Sequence, residues 1–305
     1  MNLFSHLPAS VLQCLAIFLS IIIEALPFVF MGAILSGFIE VYVTPDRVQG
    51  FLPKNKVLRI LFGTLAGLVF PSCECGIVPI ITRFIEKKVP SYTAIPFLIT
   101  APIINPIVLF ATYSAFGNSW RYVFLRFIGA ILVANVMGIL LGFVINDQIL
   151  KPQIIAERPL GHQDEDQLAP TGPKKVFAAL AHAVDEFFDT GRYLVFGALV
   201  AASMQIYVPT RLLTSISQTP LIAILLMMLL AFILSLCSEA DAFIGASLLS
   251  TFGMAPVLAF LLFGPLVDIK NLLMMGHAFK TRFIVTFVSV SVAVILSYCL
   301  IVGVI

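Results

Sequence analysis

The sequence predicts an all-α polytopic membrane protein made of two inverted-topology repeats, each with about three spanning helices plus a broken re-entrant hairpin. Three observations lead there. Of the 305 residues, 60% are hydrophobic and 11% charged, and the mean hydropathy is +1.06, far above an ordinary soluble domain. Apolar runs close to the roughly 20 residues needed to cross a bilayer recur along the whole chain, so neither a signal peptide nor a single anchor accounts for them. Finally, polar landmarks of the first half return in the same order in the second.

Taken in order, the runs at 9–43, 91–116, 120–146, 187–208, 255–279 and 281–305 read as spans. Residues 57–85 and 219–253 are each interrupted by polar residues, which leaves arms of about 10 to 18 residues, mostly too short to cross alone. Residues 147–175 are a polar linker between an N-terminal membrane repeat, 1–146, and a C-terminal one, 176–305. The linker's acidic run Asp164 to Asp166 beside His162 reads as a solvated loop. The stretch 176–188 reads as an amphipathic interfacial helix.

The repeat rests on three matches. "EALPFVFMGAILSGFIEVYV" from Glu24 aligns without gaps to "DTGRYLVFGALVAASMQIYV" from Asp189 at an offset of 165. "CEC" at 73–75 meets "CSE" at 237–239 at 164, and "PIIN" at 102–105 meets "PLVD" at 265–268 at 163. Charge then sets the orientation. Arg47, Lys54, Lys56 and Arg59 precede the first interrupted region, and Arg83, Lys87 and Lys88 follow it. A hairpin puts both basic clusters on the cytoplasmic side, as positive-inside bias prefers, and so gives three crossings per half and inverted repeats. Both termini then lie outside, the loops at 44–57, 86–90 and 147–175 lie in the cytoplasm, and Arg121, Arg126 and Arg211 fall near the outer side.

The most informative stretch is "FPSCECGIVP" at 70–79. Pro71 and Pro79 lack donors and Gly76 relaxes the backbone, so a helix breaks here. Broken backbone at membrane depth is tolerated only where protein or water covers it, so the stretch lines something. In a regular helix Cys73 and Cys75 would point about 200° apart; at an irregular tip they converge. Thiolates are soft ligands for copper(I), zinc and similar species. Cys237, followed by Ser238, Glu239 and Asp241, forms a second thiol-carboxylate cluster, while Cys14 and Cys299, inside unbroken apolar helices, read as packing residues. Carboxylates at membrane depth are functional candidates by default, which selects Glu24, Glu74, Asp189, Glu239, Asp241 and Asp268. For Asp189 the alternative is an i,i+3 ion pair with Arg192. Asn105, Asp268, Lys270 and Asn271 sit at further breaks, where they either bind substrate or satisfy freed backbone groups. The metal-ligating candidates are Cys73, Cys75, Cys237 and Glu239; His277 reads as an interface residue. Gly63-x-x-x-Gly67 and Gly138-x-x-x-Gly142 read as close helix packing.

At "PSCECGIVPI", "CSEADAF" and "GPLVDIKN" the chain resembles the predicted permeases of the YraQ/YcgR type, a group related to the organoarsenical efflux permease ArsP, and the resemblance covers essentially its whole length. It implies a multi-pass permease of the bacterial cytoplasmic membrane with Cys73 and Cys75 handling the substrate. It also implies a second membrane protein as a hetero-partner, and it does not fix the substrate.

The expected function is therefore a secondary permease, not an enzyme, that moves a small thiophilic solute such as a soft metal ion, metalloid or thiol compound through a central Cys/carboxylate site. No resident cofactor is expected beyond a soft metal ion as substrate. Expected partners are the lipid bilayer, the solute or metal ion, a membrane hetero-partner and further copies of the chain. Composition and a net charge of +2, without a basic patch, exclude nucleic acid. The alternatives are a membrane thiol oxidoreductase, which the positions of the four histidines do not favour, and a non-transporting subunit of a membrane complex.

Overall fold

The structure is a computed structural model that describes residues 9–42, 50, 52–70, 74–145, 149–152, 173–207 and 219–304. Among these residues the architecture is helical, with a single isolated antiparallel bridge, Leu150 to Phe279. The first half runs α1 (Ala9–Tyr42), α2 (Lys56–Val69), α3 (Glu74–Glu86), α4 (Ser91–Ile104), α5 (Pro106–Ala115) and α6 (Trp120–Ile139), the last continuing into a wide turn, Leu140–Val144. The second half runs α7 (Pro173–Tyr207), α8 (Pro220–Leu234), α9 (Ser238–Phe252), α10 (Met254–Phe263), α11 (Ile269–Ala278) and α12 (Thr281–Val304). One order therefore occurs twice: a long helix, two broken pairs, and a closing helix.

The breaks have identifiable causes. Pro102 and Pro106 flank Asn105, whose side chain accepts from the Val108 N–H at 2.9 Å and starts α5; Pro106 fits the first helical position because that N–H has no partner there in any case. In the second half Asp268 takes the same role, its Oδ1 accepting from the Asn271 N–H to cap α11. Ser235 ends α8 in the left-handed region at φ 49°, and α9 restarts three residues on. The expected spans 91–116 and 255–279 are thus broken helices. Residues 176–188 are not a separate interfacial helix: no glycine or proline interrupts 174–190, and α7 runs on through them.

Packing is tight where small residues permit it. Added Cβ atoms at Gly63 and Gly67 of α2 would run into Thr93, Thr100 and Ala101 of α4, and one at Gly138 of α6 into Ile60 and Pro96, as membrane helix packing on small residues expects. Two buried threonines return their hydroxyls to the carbonyl one turn back, Thr64 to Ile60 at 2.9 Å and Thr82 to Val78 at 3.0 Å, so that neither donor faces apolar surroundings. The long helices α1 and α7 run antiparallel along each other. Cys14 Sγ lies 4.0 Å from Ser203 Oγ, the Phe30 and Phe187 rings meet at 6.0 Å, Gly37 faces Ala179 and Ala183, and Lys175 Nζ sits 5.2 Å over the Tyr42 ring.

Within each half, α2 packs on α4 as α8 packs on α10, and α4 on α6 as α10 on α12. Between halves, α3 meets α11 and α5 meets α9. The start of the linker is strapped to the end of α11: the Lys151 N–H donates to the Ala278 carbonyl at 3.0 Å and the Lys280 N–H to the Ile149 carbonyl at 2.9 Å. Among the described residues, four helical stretches are long and apolar enough to cross a membrane: Ser10–Ile39, Ser91–Ala115, Trp120–Val144 and Thr281–Val304.

Candidate functional site

The two interrupted regions meet. Glu74, the first residue of α3, is 1% exposed, and its Oε2 accepts a hydrogen bond from Ser238 Oγ, on the first residue of α9, at 3.3 Å. Helix N-termini carry partial positive charge, so Glu74, Glu239 and Asp241 all lie in first turns that favour carboxylates. Cys75 and Cys237 flank this contact in sequence, and both are buried. Cys73 lies outside the described residues.

Two buried cations serve the junction, and each reaches across from the other half. Lys270 of α11 places Nζ 3.9 Å from Glu74 Oε1 and 3.5 Å from Asp268 Oδ2, with all three side chains at most 3% exposed. Arg126 of α6 is fully buried. Its Nη1 donates to Thr112 Oγ1 of α5 at 2.7 Å and its Nη2 to the Ser238 carbonyl at 3.2 Å. Arg126, expected near the outer side, is thus a buried residue of the junction, held by the Thr112 hydroxyl and by the Ser238 carbonyl at the second tip. Its position in "RYVFLRFIG" among apolar residues was the only available signal.

Not every candidate gathers here. Asp241 is 1% exposed with Oδ2 unpartnered, and it stands against Gly264, where an added Cβ would come within 2.7 Å of that oxygen. Glu239 is half-buried. Asp268 and Asn105 are buried helix caps, Asn105 also donating to the Ala101 carbonyl at 3.0 Å. Asn271 donates to the Leu266 carbonyl at 2.9 Å. Asp189 instead pairs with Arg192 at 3.1 Å on an exposed face, the two side chains 59% and 60% exposed, away from the buried cluster. Glu24 lies within α1, but its side chain is outside the described set. His277 accepts or shares a hydrogen bond with the Tyr193 hydroxyl at 2.8 Å. Among the described residues no group of three or more His, Cys, Asp or Glu is placed to hold a metal ion.

Apolar helices of spanning length, with broken pairs and buried charged groups among them, define a multi-pass membrane protein. The chain belongs to the ArsP_1 family, described as "Predicted permease", whose profile matches residues 10–304. It is 71% identical over 304 residues to a Streptococcus mutans serotype c (strain ATCC 700610 / UA159) protein named "Putative two-component membrane permease complex subunit", covering 100% of this chain and 99% of that one. UPF0718 protein YcgR of Bacillus subtilis (strain 168) is 48% identical over 295 residues, covering 96% of this chain and 98% of the relative. UPF0718 protein YraQ of Escherichia coli (strain K12) is 22% identical over 254 residues, 83% of this chain and 70% of the relative. No solved structure matches the chain.

Proposed function

We propose that the protein is a secondary permease of the bacterial cytoplasmic membrane and that its solute passes through the junction of the two broken tips. The observation that carries this reading is the Glu74 to Ser238 hydrogen bond inside a sealed cluster of charges. Several ionisable groups at membrane depth are costly and are kept where ions or polar solutes move. Two halves whose tips meet end to end give the discontinuous-helix arrangement that transporters use for a central site.

The halves are read as inverted repeats, with Glu24 equivalent to Asp189. The antiparallel run of α1 along α7 supports this, because equivalent helices of a parallel repeat would run the same way. The equivalent caps Asn105 and Asp268 support the repeat itself, whatever its sense.

The solute is a thiophilic one, a soft metal ion, metalloid or thiol compound carried as substrate. Cys75 and Cys237 flank the contact, Cys73 precedes it in sequence, and thiolates bind soft species while excluding hard ones. Glu74, Glu239 and Asp241 would balance the charge of a cationic cargo. A membrane hetero-partner is part of the same reading, in line with the name of the Streptococcus relative.

The test compares cells with and without the protein for retained copper(I), silver(I) and trivalent arsenic. Expression should change the content of at least one. Cys75→Ser and Cys237→Ser should each abolish the change at normal protein levels, whereas Cys14→Ser and Cys299→Ser should leave it intact, because a hydroxyl is a poor ligand for soft ions. Full transport by the Cys75→Ser, Cys237→Ser double variant would remove the thiolate role.

A further inference from the structure

Contacts between the halves are exchanged in the manner of a two-fold relation: α3 on α11, and α9 on α5. Their outer covering is not. Both long helices lie on the α3–α11 side, where a Cβ added at Gly32 of α1 would run into the backbone of Gly76, and one added at Gly197 of α7 would come within 3.0 Å of Lys270 Cα and 3.4 Å of Leu273. Arg83 Nε of α3 also donates to Ser36 Oγ of α1 at 3.3 Å. Neither long helix packs along the α9–α5 side.

The residues that receive α1 and α7 have equivalents on that uncovered side. At the offset of 164, Gly76, Pro79 and Arg83 correspond to Ala240, Phe243 and Ser247; at 163, Lys270 and Leu273 correspond to Ile107 and Phe110. Pro79 and Arg83 are buried, whereas Phe243 is 55% exposed and Ser247 lies on the surface; Lys270 is 3% exposed, whereas Ile107 and Phe110 are 53% and 70% exposed. Glu239, Phe243 and Ser247 follow one another at four-residue spacing and so share one helix face. That face carries Glu239, partly exposed and with one carboxylate oxygen buried without a partner, a group that lipid hydrocarbon does not accommodate cheaply. Its equivalent in the first half, Cys75, is sealed at 2% exposure.

We infer that the α5–α9 face is the docking surface for a second, different membrane protein, which contributes a pair of apolar helices in the place that α1 and α7 take on α3 and α11. This rests on the inverted-repeat and complex-subunit readings above. The occupant needs small residues at the contact, as Gly32 and Gly197 supply on the covered side, because membrane helices approach closely only there. A second copy of this chain would instead offer the outer face of its α1 and α7, with Ile23, Leu26, Phe30, Phe188 and Phe196 exposed together with the Asp189–Arg192 ion pair. Such a face is too bulky and too charged for the role.

The protein, made in its own host with a photo-crosslinking residue at Phe110, Phe243 or, as a control on α12, the exposed Ile301, tests this in native membranes. The expected result is an adduct from Phe110 and Phe243, and not from Ile301, with one integral membrane polypeptide distinct from this chain, joined through an apolar helix. Ser247→Trp should also abolish the higher-mass complex on native gels while Ile301→Trp leaves it intact. Should Ser247→Trp fail to accumulate, Phe243→Ser provides the same readout. An adduct with a second copy, adducts only at Ile301, no adduct at all, or a complex that survives the α9 variants each overturns the proposal. A complex crosslinked through another face overturns this surface but leaves the complex-subunit reading standing; the absence of any complex overturns that reading as well.

Discussion

At the scale of single residues, the junction depends on side chains that have no water to fall back on. Arg126 holds three elements through one guanidinium: α6, which carries it, α5 through Thr112, and the tip of α9 through the Ser238 carbonyl. Arg126→Met should lower stability by about 1 to 3 kcal/mol, because it leaves the buried Ser238 carbonyl and Thr112 hydroxyl without the donor that ties them together. Arg126→Lys should recover only part of this, since an ammonium does not reproduce the fork that reaches two acceptors. Thermal unfolding in detergent measures both. Gly264→Ala should displace the Asp241 carboxylate, which leaves no room for a methyl group, and should impair transport more than it lowers the yield of folded protein. Glu74 and Ser238 were legible from the sequence because helix breakers and a second, offset cluster came with them. The role of Arg126 was not, since an arginine in an apolar run has the same appearance whether it faces a membrane edge or a buried carbonyl in the other half.

At the scale of elements, glycine positions separate close contact from mere flexibility. Gly32 lies against the backbone of Gly76, within 2.8 Å of its Cα once a Cβ is added, while Gly191, in the same long-helix pair, has nothing within 4 Å of that position. Gly32→Ala should therefore destabilise by about 1 to 3 kcal/mol through overpacking. Gly191→Ala should be neutral or slightly stabilising, because alanine is the better helix former by up to about 1 kcal/mol. A pair of melting curves decides between them. Breaks were readable at this scale wherever proline or a capping side chain marked them, as at Asn105 and Asp268. The continuity of α7 was less readable: the amphipathic residues 176–188 look like a separate interfacial helix, and although no glycine or proline breaks them, their packing along α1 joins segments far apart in sequence, which no local pattern reports.

At the scale of the whole molecule, the antiparallel α1–α7 pair makes a covalent prediction. With Cys14 Sγ 4.0 Å from Ser203 Oγ, Ser203→Cys should form a disulfide with Cys14 under mild oxidation, seen as a shift on non-reducing gels after cleavage of the linker; separation into two fragments would count against the pairing. Reporter fusions within 147–175 should lie in the cytoplasm, as the basic clusters require, and an outside location would overturn the inverted arrangement. Membrane class and the spans expected at 9–43, 91–116, 120–146 and 281–305 could be read from composition and run length, because both depend on local chemistry alone. The lopsided placement of the long helices could not, since it depends on contacts between segments far apart in sequence. The two buried cations have a further consequence. Lys270 stands where the first half has Ile107, and the stretch of α12 matching Arg126, Phe287 to Ser289, carries no charge. Each half thus brings the cation that the other half's tip needs, from a place its counterpart does not use. Under the proposed repeat, two copies of one half expressed without the other would meet with mismatched ions, so the duplication is a one-way commitment: the descendants of a once interchangeable unit can now be inherited only as a couple.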